Sequence, residues 1–137
     1  MAVLVLDSEA VSSLARPHLD QARHLRVRAA MRSAHSRKAP VRIPAAVLVE
    51  LYRGRGTDEA IDVVLARGFA QVVTTGARMA RIAGHLLERA GTGSTMAIDA
   101  LVIATAIRLG GGIVATHDPG DLRLLAAGHP NVAILEI

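Results

Sequence analysis

The chain has no cysteine and no tryptophan, and its only aromatic residues are Tyr52 and Phe69. Without cysteine there can be no disulfide, no thiolate metal site and no cysteine nucleophile. This absence also fits a reducing compartment. So few rings argue against a platform on which bases stack, and they leave the core to Val, Leu, Ile and Ala. No apolar run reaches the ~18 residues needed to cross a bilayer. No basic stretch precedes the first short apolar run, so that run reads as a strand and not as the core of a signal peptide. The expectation is a cytoplasmic protein with no membrane contact.

What remains is aliphatic and unevenly charged. Apolar residues make up 51% of 137, enough for one domain over residues 1–137 with a real core. Net charge is +4, but the basic residues are concentrated. Residues 16–42 hold eight basic side chains, among them Arg23, Arg28 and Arg32, against the single acid Asp20. The rest of the chain is net acidic. A basic segment of this kind suits a polyanion, because phosphates are held mostly by such side chains. It equally suits a solvated helix face or an acidic protein.

Short apolar runs alternate with helical patterns. Val3–Leu6, Val41–Ile43, Phe69–Thr74, Ile113–Thr116 and Val132–Leu135 read as strands. Helices are expected from Ser8 to Ala15, His18 to Ser36, Ala45 to Arg53, Thr57 onward, Gly76 to Ala90, Met96 to Leu109 and Pro119 to Ala127. The Met96–Leu109 segment is apolar on nearly every side, so it should be a buried central helix. This alternation predicts an α/β sandwich around a mostly parallel sheet.

Four acids stand where packing does not call for one: Asp7, Glu50, Asp99 and Asp118. Asp7 closes the first strand, and Asp118 lies two residues past the fourth. Asp99 interrupts the apolar helix, with no Lys or Arg within four residues. Glu50 interrupts Ala45–Leu51. In parallel sheets, sites form at the carboxyl ends of strands, and one cleft there could receive all four. Each also has an ordinary explanation. Asp7 and Asp118 could cap helices, Asp99 could favour its helix dipole, and Glu50 could pair with Arg53. A cluster would repel itself unless a cation neutralised it, and all-oxygen ligands select Mg²⁺ or Mn²⁺. Thr116 and Asp121 could join such a cluster, as could Glu9. His117 is a weaker candidate for acid–base work.

The segments Leu4–Ser8, Pro44 with Val47–Leu51, Ile98–Ala104 and Thr116–Leu122 resemble, in order and spacing, the four motifs of PIN-domain ribonucleases, and among them the VapC toxins of toxin–antitoxin pairs. The likeness covers essentially the full length. It implies a PIN-like α/β/α sandwich and a Mg²⁺- or Mn²⁺-dependent endoribonuclease. In that reading Asp7, Glu50, Asp99 and Asp118 are catalytic and metal-binding, Asp121 is a further ligand, and Thr116 and Ser8 support them. It also implies RNA as substrate, a VapB-like antitoxin partner and a homodimer, with Arg23, Arg28 and Arg32 meeting RNA or the partner. The chain departs from the pattern at Glu9, where many members carry a small polar residue. Two other readings stay open. One is a phosphoryl-transfer or signalling domain with an Asp nucleophile, which calls for a late lysine, whereas the only lysine is Lys38. The other is a non-catalytic module with the same fold, binding RNA or protein.

Overall fold

The computed structural model describes residues 2–137. The chain begins with β1 (Val3–Leu6), α1 (Ser8–Ala15), α2 (Gln21–Ser36), β2 (Val41–Pro44), α3 (Leu48–Leu51) and α4 (Thr57–Ala66). It continues with β3 (Gln71–Val73), α5 (Ala77–Ala90), α6 (Ala97–Arg108), β4 (Gly112–Thr116), α7 (Pro119–Ala126) and β5 (Val132–Glu136). Short 3₁₀ turns lead into α2, α3 and α6.

The strands form one sheet in the order β3-β2-β1-β4-β5, and every pairing is parallel. The sheet is thus wholly parallel, where the sequence predicted mostly parallel. Parallel sheets are covered on both faces, so their strands read as continuous apolar runs. All four residues of β1 are buried. Helices α1, α2 and α4 form one packed group, and α5, α6 and α7 another. Leu4, Leu6, Ile43, Ile103, Leu122 and Leu125 are among the largest fully buried side chains, each contributing about 1.5–3 kcal/mol by burial. As expected, α6 is the central helix: Ala100 and Val102 to Ala106 are buried, and it touches four of the strands. The Thr105 hydroxyl in its interior donates to the Leu101 carbonyl at 2.7 Å.

Several boundaries differ from the sequence reading. The second helix begins at Gln21, after a 3₁₀ turn over Pro17–Leu19, because the Asp20 side chain accepts from the Arg23 amide at 3.0 Å and caps it there. Gly56, at φ 88°, precedes α4, and the Glu59 carboxylate accepts from its amide at 2.5 Å, so Thr57, a cap candidate by residue type, is instead the first helical residue. The third strand is only Gln71–Val73. Among the described residues no helix is long and apolar enough to cross a membrane.

Candidate functional site

The chain order of the strands reverses at β1, since β2 lies on one side of it and β4 on the other. A crevice forms at the carboxyl ends of strands flanking such a reversal. Asp7 follows β1 directly, and its amide donates to the Ala115 carbonyl of β4 at 3.2 Å. Thr116 ends β4, 1% exposed, and its hydroxyl accepts from the Asp118 amide at 3.0 Å. Pro44 ends β2, and the turn after it packs on α6 before leading into α3, which carries Glu50. Asp99 stands in the first turn of α6.

Asp7 is 6% exposed, and its Oδ1 accepts from the Ala10 amide at 2.9 Å. It therefore is the cap of α1, as one sequence reading held, and it is a buried carboxylate as well. Burial pushes its pKa up to about 6, with smaller upward contributions from Glu9 and Glu50. The Thr116 hydroxyl and the Ala10 amide oppose the rise, because they stabilise the charged form. Ser8 opens α1 beside it.

Asp99 is half-buried. Its pKa also rises to about 6, first through burial and then through the charges of Glu50, Asp7, Asp121 and Asp118. All four neighbours act on this one side chain, and no arginine or lysine is among the causes. Asp121 is raised by hydrogen bonding to Asp118 and by its charge. Asp118 occupies the N-cap position of α7 but makes no side-chain cap bond. Glu50 is exposed yet near enough to act on both Asp7 and Asp99. It is not paired with Arg53, whose Nη1 donates to the Val49 and Tyr52 carbonyls at 2.7 Å.

These acids sense one another without closing into a ligand shell. Among the described residues, no three Asp, Glu or His side chains are arranged to hold an ion. As a donor set the group is nonetheless all oxygen, uncompensated by any ion pair and partly desolvated. That chemistry fits a hard divalent cation, which would favour the ionised forms that burial and repulsion disfavour.

Other candidates are placed differently. Glu9 adds its charge to the rise at Asp7 but is exposed and engaged elsewhere: its Oε2 accepts from Arg23 Nη1 at 3.2 Å. Arg23 also meets Asp20 at 3.5 Å, and its side chain is only 16% exposed. Of the three arginines expected to meet a partner, it is thus engaged inside the protein, while Arg28 and Arg32 are exposed. His117 is exposed, with Nδ1 3.3 Å from the Ile137 carbonyl oxygen. The Arg23–Glu9 pair was not foreseen, since residues fourteen apart across a turn leave no local signal.

Solved structures similar to the chain include the following three. VapBC2 from Rickettsia felis, bound to a DNA fragment from their promoter, is 17% identical with TM-score 0.68, covering 98% of each chain. DNA-bound VapBC from Salmonella typhimurium is 20% identical with TM-score 0.65, covering 99% of this chain and 98% of that one. A toxin–antitoxin complex from Klebsiella pneumoniae is 17% identical with TM-score 0.58, covering 98% and 99%. At such identities the likeness is one of fold. No curated protein matches in sequence. The PIN domain family model, however, matches residues 4–127. Nearly the whole chain is thus accounted for by that one model, and it belongs to the PIN domain family.

Proposed function

We propose that the protein is a metal-dependent endoribonuclease of the VapC type, its whole chain acting as one catalytic unit in the cytoplasm. The observation that carries this reading is Asp99. It is a half-buried carboxylate on an apolar helix, repelled by Glu50, Asp7, Asp121 and Asp118 and relieved by no cation of the protein. Asp7, Glu50, Asp99 and Asp118, with Asp121, would hold Mg²⁺ or Mn²⁺. Such an ion supplies Lewis-acid activation of water and offsets charge on the phosphate. Hydrolysis adds water across the P–O bond, with the ribose oxygen leaving in line. The Ala10 amide and the Thr116 hydroxyl orient Asp7 and favour its ionised form against the effect of burial, and Ser8 stands beside it. Arg28 and Arg32 meet RNA or the partner, and Arg23 steadies the start of α1 through Glu9.

The similar structures that are VapBC or toxin–antitoxin complexes support a VapB-like antitoxin as partner, and the homodimeric state rests on the family resemblance. A phosphoryl-transfer domain is disfavoured because the only lysine, Lys38, precedes β2 at the amino end of the sheet, away from Asp7. A non-catalytic module is the reading favoured by the open spacing of the acids, and it predicts no heat on titration with Mn²⁺. The deciding experiment maps RNA 5′ ends after induction of wild type and of Asp99→Asn, with purified protein assayed in Mg²⁺, Mn²⁺ and chelator. New ends are expected with wild type only. Equal cleavage by Asp99→Asn would remove the proposed site.

A further inference from the structure

A groove of about 690 Å³ lies away from the acids, at the opposite end of the sheet, where β2 and β3 begin, walled by α2 and the end of α4. Arg28, Arg32, Arg42 and Arg67 line it, together with His24 and His35, and no acid does. Among the described residues the ion pairs are those of Arg23, so none of these four arginines has a carboxylate partner. Arg42 Nη1 donates only to the Val41 carbonyl of its own strand, at 2.9 Å. Like charges gathered without counter-charges repel, and a polyanion relieves that repulsion.

Phe69 adds a second feature. It lies between Arg67 and the start of β3, lines the same groove and is 71% exposed. At that exposure most of the ring is open to solvent. A docked amphipathic helix needs a row of apolar contacts at helical spacing. Leu14, Met31 and Val64 also line this groove but are only partly exposed, so Phe69 is its one large hydrophobic residue that stands out from the surface. A single exposed ring flanked by guanidinium groups instead suits one unpaired base beside consecutive phosphates. The scarcity of aromatics excludes a stacking platform but leaves room for one such contact.

We propose that this groove binds a single-stranded RNA segment outside the cleavage site. The proposal rests on RNA being the substrate and adds where the chain grips it. Without its metal the acid cluster repels phosphate, so in the absence of divalent ions the grip has to come from elsewhere on the surface. Strand β2 runs from the groove at Val41 to Pro44 at the acid end, three steps or about 10 Å at the usual rise per residue. An RNA engaging both ends therefore spans several nucleotides, and a very short one reaches the acids alone.

The test compares Arg32→Gln/Arg67→Gln and Phe69→Ala with their parent in an Asp99→Asn background, without divalent ions. A labelled single-stranded RNA of about twenty nucleotides is the probe, longer than the ~4–16 that comparable grooves cover. Thermal unfolding checks that each variant folds, and Arg32→Lys/Arg67→Lys tests whether charge suffices. The double Gln variant is expected to bind about tenfold or more weakly and to lose roughly one to two from the salt slope. Phe69→Ala is expected to weaken binding at every salt concentration with the slope unchanged. In the cleavage-competent protein the double variant should slow cleavage of long RNA while sparing an oligonucleotide of about four nucleotides. Unchanged RNA affinity in the double variant overturns the proposal. So does an acidic peptide that binds wild type through these arginines while RNA does not, which would assign the groove to a protein. If wild type binds RNA here but cleaves none, the groove stands and the nuclease reading fails.

Discussion

Replacing Asp7 by Asn tests whether the acid site is held against the fold's own preference. The carboxyl is 6% exposed, and its pKa stands at about 6 against an ordinary 3.8. A folded value above the unfolded one means that the native state prefers the neutral acid. Its contribution to stability is therefore complete below about 3.8 and is lost as pH rises through about 6. Above that, burying the ion costs about 3 kcal/mol, at 1.36 kcal/mol for each pH unit between the two values. Asn is as good an N-cap as Asp, so its carbonyl can still accept from the Ala10 amide. Its NH₂ needs a partner of its own, which lowers the expected gain to about 2 kcal/mol. In chelator at pH 8, Asp7→Asn should therefore melt higher than wild type, by roughly 5–10 °C for a domain of this size. The gap should close as pH falls below about 4, where both side chains are neutral. Urea unfolding across this range is the assay. An Asp7→Asn protein less stable than wild type at pH 8, or a difference that does not vary with pH, would refute the argument. Under the proposed function the same variant, though more stable, cleaves no RNA.

Two further predictions concern stability and titration. A Cβ on Gly112 would overlap the Val3 carbonyl oxygen and lie 2.7 Å from its amide nitrogen, backbone that cannot yield without separating β1 from β4. Gly112→Ala should thus cost about 3 kcal/mol or more in urea unfolding, and a cost below about 1 kcal/mol would show that the two strands can part. The Tyr52 hydroxyl donates to Asp62 Oδ1 at 2.6 Å, and this bond is the main reason that its pKa is raised above 10.0. Tyr52 is the only tyrosine, so the phenolate absorbance reports it directly. Asp62→Asn should move that titration to lower pH, and superimposable curves would contradict the bond.

The order of strands and helices was legible because a wholly parallel sheet turns each strand into a short unbroken apolar run, as in Val3–Leu6. Asp99 was legible for the converse reason, as an acid in a helix otherwise apolar all round. Boundaries were less so. The second helix reads from His18 in the sequence, yet Asp20 supplies the cap and Gln21 begins it. Relations between distant residues left no trace in the sequence. The mutual repulsion of the acids depends on which strands lie side by side. Glu9 looked like a departure from the family pattern until Arg23, on the next helix, was found beside it. The basic groove draws on the starts of β2 and β3 and on α2 and α4, so no single stretch of sequence describes it.

The position of β1 bears on how the protein is made. It takes β2 on one side early in the chain, but its other edge waits for residues 112–116. At about 5–20 residues per second, synthesis takes roughly four to fifteen seconds to pass from β2 to the end of β4. Throughout that interval Asp7 lacks Thr116, and Asp118 and Asp121, half of the charges that surround Asp99 in the finished protein, are not yet made. A chain still on the ribosome, within reach of RNA on every side, is for that time incapable of forming the acid cluster.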